Sequence, residues 1–175
     1  MHAVLATSFN QPDKVSFYNV VLFVHVLSAI VAFGITFAYP VIFVSLTRNG
    51  NVRHLAWWHR TQVEIERKIL SPAATLLLLC GIYLASDGIY GWKSTFVSVG
   101  LVGVIVIMGL LGAVLIPAES KAAAIAEREI GPDGSGELSA DYQALARRMQ
   151  IAGTVASVIV VVVVFLMITK LGAHS

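Results

Sequence analysis

IAGTVASVIVVVVVFLMIT, residues 151–169, runs for nineteen residues without a charged side chain. Its valines and isoleucines favour strands in a soluble protein, but its length points elsewhere. At about 1.5 Å of rise per residue, a helix of roughly 20 apolar residues crosses the roughly 30 Å of hydrocarbon in a bilayer. A helix on the surface of a soluble domain must show one polar face to water, and this block has none. Three more blocks read the same way: Tyr18 to Leu46, Ile69 to Ala85 and Phe96 to Ile116. The second is the shortest, but Ile65 and the snorkelling side chains of Arg67 and Lys68 let its helix begin earlier.

The chain therefore reads as an all-α polytopic membrane protein, a four-transmembrane-helix bundle. Residues 1–175 form a single transmembrane domain with spans of about 18–46, 65–85, 96–116 and 151–171 and long loops at 47–64 and 117–150. Composition agrees: 57% of the residues are hydrophobic and 13% charged, where a soluble domain carries about a quarter charged. The first block is about twice as long as the apolar core of a signal peptide. It starts late, behind a tail whose one cation, Lys14, adjoins Asp13, and so reads as a retained helix. The single cysteine, Cys80, lies in the second span, which excludes an intrachain disulfide and a cysteine metal cluster.

Charge sets the orientation. Arg48, Arg53, Arg60, Arg67 and Lys68 in the first long loop and Lys121, Arg128, Arg147 and Arg148 in the second place nine cations on one side. Lys14, Lys93 and Lys170 make three on the other. The positive-inside bias then puts both long loops in the cytoplasm of a bacterial inner membrane and both termini outside.

The first helix is expected to end near Asn49-Gly50, with Pro40 kinking its last turns. Trp57 and Trp58 sit where an interfacial anchor belongs, and Glu64 with Lys68 forms an i, i+4 pair, so Asn51 to Lys68 reads as helix continuing into the second span. This basic, tryptophan-bearing segment suits a membrane surface, with an anionic-lipid or nucleic-acid site as the alternative; no nucleic-acid partner is expected. Ser86 to Lys93 is a hairpin with turn and aromatic-belt residues. In the longer connection, Ala118 to Ile130 extends the third helix and Gly131 to Gly136 is a turn or loop. Leu138 to Gln150 begins the fourth helix, with Ser139 as N-cap.

Helices in lipid associate by close packing, so small residues mark where they touch. Gly100, Gly103, Gly109, Gly112 and Ala113 in the third span, and Gly153, Ala156 and Ser157 in the fourth, include two small-xxx-small pairs, Gly109 with Ala113 and Gly153 with Ser157. They point either to packing within one bundle or to a homodimer, a larger membrane complex or a cofactor groove.

His25 is the one histidine inside a span, and an ionisable group at that depth needs a partner, a cavity or a cofactor. Ser28, Ala29, Ala32 and Thr36 continue its face as a small, weakly polar stripe, which turns it into the bundle. A neutral imidazole there can ligate haem iron or copper, with Met108 or Met167 as a softer second ligand, or it can simply hydrogen-bond a neighbouring helix. Glu64, Glu66, Arg67 and Lys68 ahead of Ser71-Pro72 either solvate a helix end or form a polar gate or propionate-binding cluster, with Arg67 and Lys68 as its cations. No acidic residue lies mid-span, which argues against a proton-coupled carrier.

Two stretches carry a resemblance: Phe23-Val24-His25-Val26-Leu27-Ser28-Ala29-Ile30-Val31-Ala32-Phe33-Gly34, and Glu66-Arg67-Lys68-Ile69-Leu70-Ser71-Pro72-Ala73 continuing to Gly81. They resemble a family of bacterial four-helix integral membrane proteins of unknown function. More distantly, they are similar to the HemJ-type protoporphyrinogen oxidases and the CopD-type copper-resistance membrane proteins. The resemblance covers about a third of the chain. It implies that His25 corresponds to a haem- or metal-associated histidine and that Arg67 and Pro72 mark where the next helix begins. The third block has no histidine or lysine, where the HemJ type carries polar residues.

The functional expectation is thus a membrane protein that binds haem b or copper. His25 is the metal ligand, and His25, Met108, Arg67 and Lys68 are the cofactor-binding residues. A structural subunit of a larger complex and a HemJ-like porphyrinogen oxidase are the alternatives.

Overall fold

The computed structural model describes residues 16–48, 52–88, 90–131 and 133–173, and all regular structure among them is helical. The expected helix end at Asn49-Gly50 and the tail bearing Lys14 lie outside the described residues. Four long helices pass back and forth: α1 (Phe17–Leu46), α2 (Leu55–Asp87), α3 (Thr95–Glu129) and α4 (Ala140–Thr169), each long and apolar enough to cross a membrane. A 3-10 turn at Ile35–Phe37 interrupts α1. Its cause is Pro40, which has no N–H to offer the carbonyl of Thr36 one turn back.

Helices α2, α3 and α4 run on past their apolar blocks at the end that bears the two long connections. The bundle therefore has two storeys. In the membrane storey Ala32, Phe33, Ala74, Leu77, Val104, Ile107 and Val160 form the core. In the outer storey Leu55, which is fully buried, packs with Ala118, Ala122, Ala126, Tyr142 and Met149. The run of alanines on α3 keeps that face flat and lets α2 come close. Outside the membrane core the apolar residues face outward, as lipid requires: Ile30, Leu79, Val102 and Phe165 are all exposed.

Going round the bundle, α1 packs on α2, α2 on α3 and α3 on α4, while α4 meets α1 chiefly at the Ile35–Phe37 turn. The small residues of the third span divide between two roles. A Cβ on Gly100 would come within 2.2 Å of Met167 Cε, and one on Gly103 within 2.6 Å of Val163 Cγ2, so these two seat α4 directly on α3. A Cβ on Gly109 or Gly112 would meet nothing within 4 Å.

Aromatic side chains gather at the end that bears the termini. Tyr83 donates to Asp87 (2.8 Å), and Lys170 lies 4.5 Å from the Tyr90 ring centre. Thr95 N donates to Gly172 O (3.0 Å), tying the end of α4 to the start of α3. At the other end the two tryptophans part company: Trp57 is 64% exposed, but Trp58 is turned inward at 6%, edge-on to Tyr39. As the sequence predicts, Ser139 caps α4, its Oγ accepting from Tyr142 N (3.3 Å), and its own N–H donates to Glu129 Oε2 (2.8 Å). The first bond caps α4 and the second ties that cap to α3, and together they fix Tyr142 in the first turn of α4.

Candidate functional site

Along α2 the inward positions beyond Leu55 are His59, Gln62, Glu66, Leu70 and Ala74, all buried. From Gln62 they step by four residues three times. In a regular α-helix three such steps carry a side chain about 120° round the axis. The α2 helix avoids that drift with a π turn over Glu66–Leu70, whose one extra residue takes back about 100°. The α3 helix does the same at Leu111–Leu115, between Ile107 and Glu119. Glu66, Leu70, Ala74, Ile107, Leu111, Leu115 and Glu119 consequently all line one cavity of about 1040 Å³. Its remaining walls come from α1 (Ala32, Tyr39, Phe43) and α4 (Tyr142, Gly153, Ala156), where those two helices diverge. The upper wall is aliphatic; the polar groups collect at the outer-storey end.

Three of those groups satisfy one another. His59 is 1% exposed; its Nδ1 is hydrogen-bonded to Glu119 Oε2, and its Nε2 lies 2.8 Å from the Tyr142 hydroxyl. The assignment that uses every group has Tyr142 donating its O–H to Nε2 and Nδ1–H donating to the carboxylate. The network thus joins α2, α3 and α4.

Three buried polar atoms are left without a partner among the described residues, of which the Trp58 indole N–H lies outside the cavity lining and the other two within it. Glu66 is 2% exposed, and its Oε2 has no hydrogen-bond partner among the described residues; the same holds for the Tyr39 hydroxyl. Both residues line the cavity. Buried polar atoms are nearly always paired, and an isolated buried charge is costly, so an orphaned carboxyl oxygen on a cavity wall marks a place for a missing donor.

Of the residues singled out in the sequence, Met108 lines the cavity, while His25, Arg67 and Lys68 are not among its lining residues. His25 sits on the seam of α1 and α2, where its Nδ1 lies 3.1 Å from Leu77 O and its Cε1 lies 3.2 Å from where a Cβ on Gly81 would stand. Arg67 and Lys68 point outward, Lys68 into an exposed pair with Glu64 (2.9 Å). Within the Glu64–Lys68 run, Glu66 is the buried member. Among the described residues no three His, Cys, Asp or Glu side chains are grouped to hold a metal ion.

His59, Glu119 and Tyr142 do not stand out in the sequence, because each lies in a polar stretch that composition alone assigns to a solvated face. A usable signal was present in the spacing. Leu55, His59, Gln62 and Glu66 fall on one helical face, as do Glu119, Ala122, Ala123 and Ala126, and a face made of alanines packs against something.

Residues 19–171 match the model of a family described as a predicted integral membrane protein, DUF2269. No curated protein and no solved structure matches the chain.

Proposed function

This chain belongs to the DUF2269 family of predicted integral membrane proteins, and from that premise we propose that it binds a membrane amphiphile in the cavity between α1 and α4. The apolar part of the ligand lies along Leu70, Ala74, Ile107 and Ala156, and its polar head reaches Glu66. The observation that carries this reading is the orphaned Oε2 of Glu66 on the wall of a large, mostly apolar cavity. Ligand pockets have this composition: mostly apolar lining with a few convergent polar groups. The divergence of α4 from α1 supports entry from the side, out of the lipid.

Gly153 provides the test. It lines the cavity, and a Cβ there would meet nothing within 4 Å, so Gly153→Phe projects a ring into the cavity from a position with open space around its first side-chain carbon. Wild-type protein released from lipid nanodiscs in a mass spectrometer is expected to retain one bound amphiphile, and Gly153→Phe to have lost it. Equal retention by both, or none by either, overturns the proposal.

A second reading, haem b or copper held by His25, is favoured by one observation. The Nδ1–H that donates to Leu77 O fixes the ring as ligating histidines are usually fixed, and leaves Nε2 for a metal. Its test is an absorption spectrum and metal analysis of wild type beside His25→Ala. A Soret band or stoichiometric copper confined to the wild type supports it; a colourless, metal-free protein from haem- and copper-supplied cells excludes it. For either reading, the nine cations at the outer-storey end support placing that end in the cytoplasm and the termini outside.

A further inference from the structure

The head group of the cavity ligand can be narrowed by what the polar floor lacks. We propose that the site takes a protonated primary amine, a reading that rests on the cavity being a ligand site. Besides Tyr39 and Tyr142, the ionisable side chains lining the cavity are His59, Glu119 and Glu66, with Arg147, an exposed residue, also in the lining. Glu119 is engaged by His59, which is engaged in turn by Tyr142. Glu66 Oε2 and the Tyr39 hydroxyl remain, both without a partner among the described residues.

A group that suits this floor donates a hydrogen bond to Glu66 Oε2, either donates to or accepts from the Tyr39 hydroxyl, and carries positive charge toward the carboxyl. An ammonium does all of this, with three N–H donors. A quaternary ammonium carries the charge but has no N–H, and would leave both oxygens unpaired. An alcohol can donate to Glu66 and accept from the Tyr39 O–H but carries no charge. A carboxylate or phosphate group offers Glu66 Oε2 no donor.

Depth agrees with this choice. Ile69, three residues on from Glu66, is exposed and opens the apolar block of α2, so Glu66 stands just ahead of that block. That is where the head of an amphiphile rests when its chain extends toward the bilayer centre. Two sources share this chemistry: the ethanolamine head of an aminophospholipid, and a long-chain free amine. For the phospholipid, Arg147 on the same cavity wall is placed to receive the phosphate.

The test uses full-length protein in dodecylmaltoside with dodecylamine, dodecyltrimethylammonium and dodecanol as probes. Binding is read from the tryptophan fluorescence of a Trp57→Phe, Trp92→Phe background, in which Trp58, packed on Tyr39, is the reporter. Dodecylamine is expected to bind, the other two at least about tenfold more weakly, as the loss of a charge-assisted hydrogen bond implies. Glu66→Gln and the isosteric Tyr39→Phe are each expected to weaken dodecylamine, and Glu66→Gln to leave dodecanol unchanged. Equal binding of all three probes, abolished by Gly153→Phe, overturns the amine assignment and leaves the cavity reading standing. Binding of none overturns both. If the amine is selected, nanodiscs of phosphatidylethanolamine set against phosphatidylcholine identify the source: competition with dodecylamine by the former alone means a phospholipid, and by neither a free amine.

Discussion

Replacing Tyr142 with phenylalanine removes one oxygen and keeps the ring, so the packing of Tyr142 against Leu55 and Ala122 stays and no cavity opens. What is lost is the 2.8 Å hydrogen bond to His59 Nε2, at a site where the histidine is 1% exposed and water cannot substitute. An unsatisfied buried group of this kind costs about 1–3 kcal/mol. In a His59→Phe background the same substitution has no bond left to remove, so its cost is expected to fall to near zero. The coupling between the two positions should then be about 1–3 kcal/mol, the range found within one hydrogen-bond network. Reversible unfolding in mixed micelles, titrated with dodecyl sulfate and followed by circular dichroism, measures all four corners of this cycle. If the two substitutions add within about 0.5 kcal/mol, the network does not couple α2 to α4 and the description of the cavity floor is wrong.

Gly103→Ala should destabilise the bundle by about 1–3 kcal/mol, because its Cβ would stand 2.6 Å from Val163 Cγ2, whereas Gly112→Ala, with nothing within 4 Å, should be neutral or slightly stabilising in the same titration. Gly81→Ala should press on the His25 ring from 3.2 Å. If haem is held there, its Soret maximum moves, and an unmoved band places the haem elsewhere. For topology, a Cys80→Ala background carrying one cysteine at exposed Lys93 or exposed Ser135 is treated with a membrane-impermeant maleimide. Labelling of position 93 in intact cells, and of position 135 only after lysis, is expected; the reverse pattern inverts the assigned orientation.

How much of this was legible in the sequence follows from what each signal depends on. The four crossings depend on unbroken apolar length, which no neighbouring helix can alter, and all four apolar blocks lie within long helices. The role of Gly100 and Gly103 was legible as small-residue packing, but not that Gly109 and Gly112 face away, because that depends on which side α4 docks. His25 stood out for being alone in an apolar block. Glu66 was noticed only as one charge in a run of four, since the sequence does not tell which of neighbouring residues turns inward. His59, Glu119 and Tyr142 come from three helices, and their meeting depends on two π turns for which the sequence reading held no rule. Trp58 was assigned to the interface beside Trp57, and a one-residue difference in helical angle puts it inside instead.

Those π turns also bear on how such a chain can change its length. Each holds one residue more than a regular helix needs, at Glu66–Leu70 and at Leu111–Leu115. Deleting a single residue from either would leave an unbroken α-helix, with the membrane storey intact and the outer part of that helix turned by about 100°. His59 or Glu119 would swing out of the shared network while every lipid-facing residue kept its place. A one-residue deletion would here remove the polar floor of the cavity, and with it the outer-storey packing of Leu55 or of the α3 alanines, while the membrane storey kept its contacts. Chains of the same build with and without the extra residue would therefore have the same outward appearance in the membrane and differ in whether they can hold a polar head group.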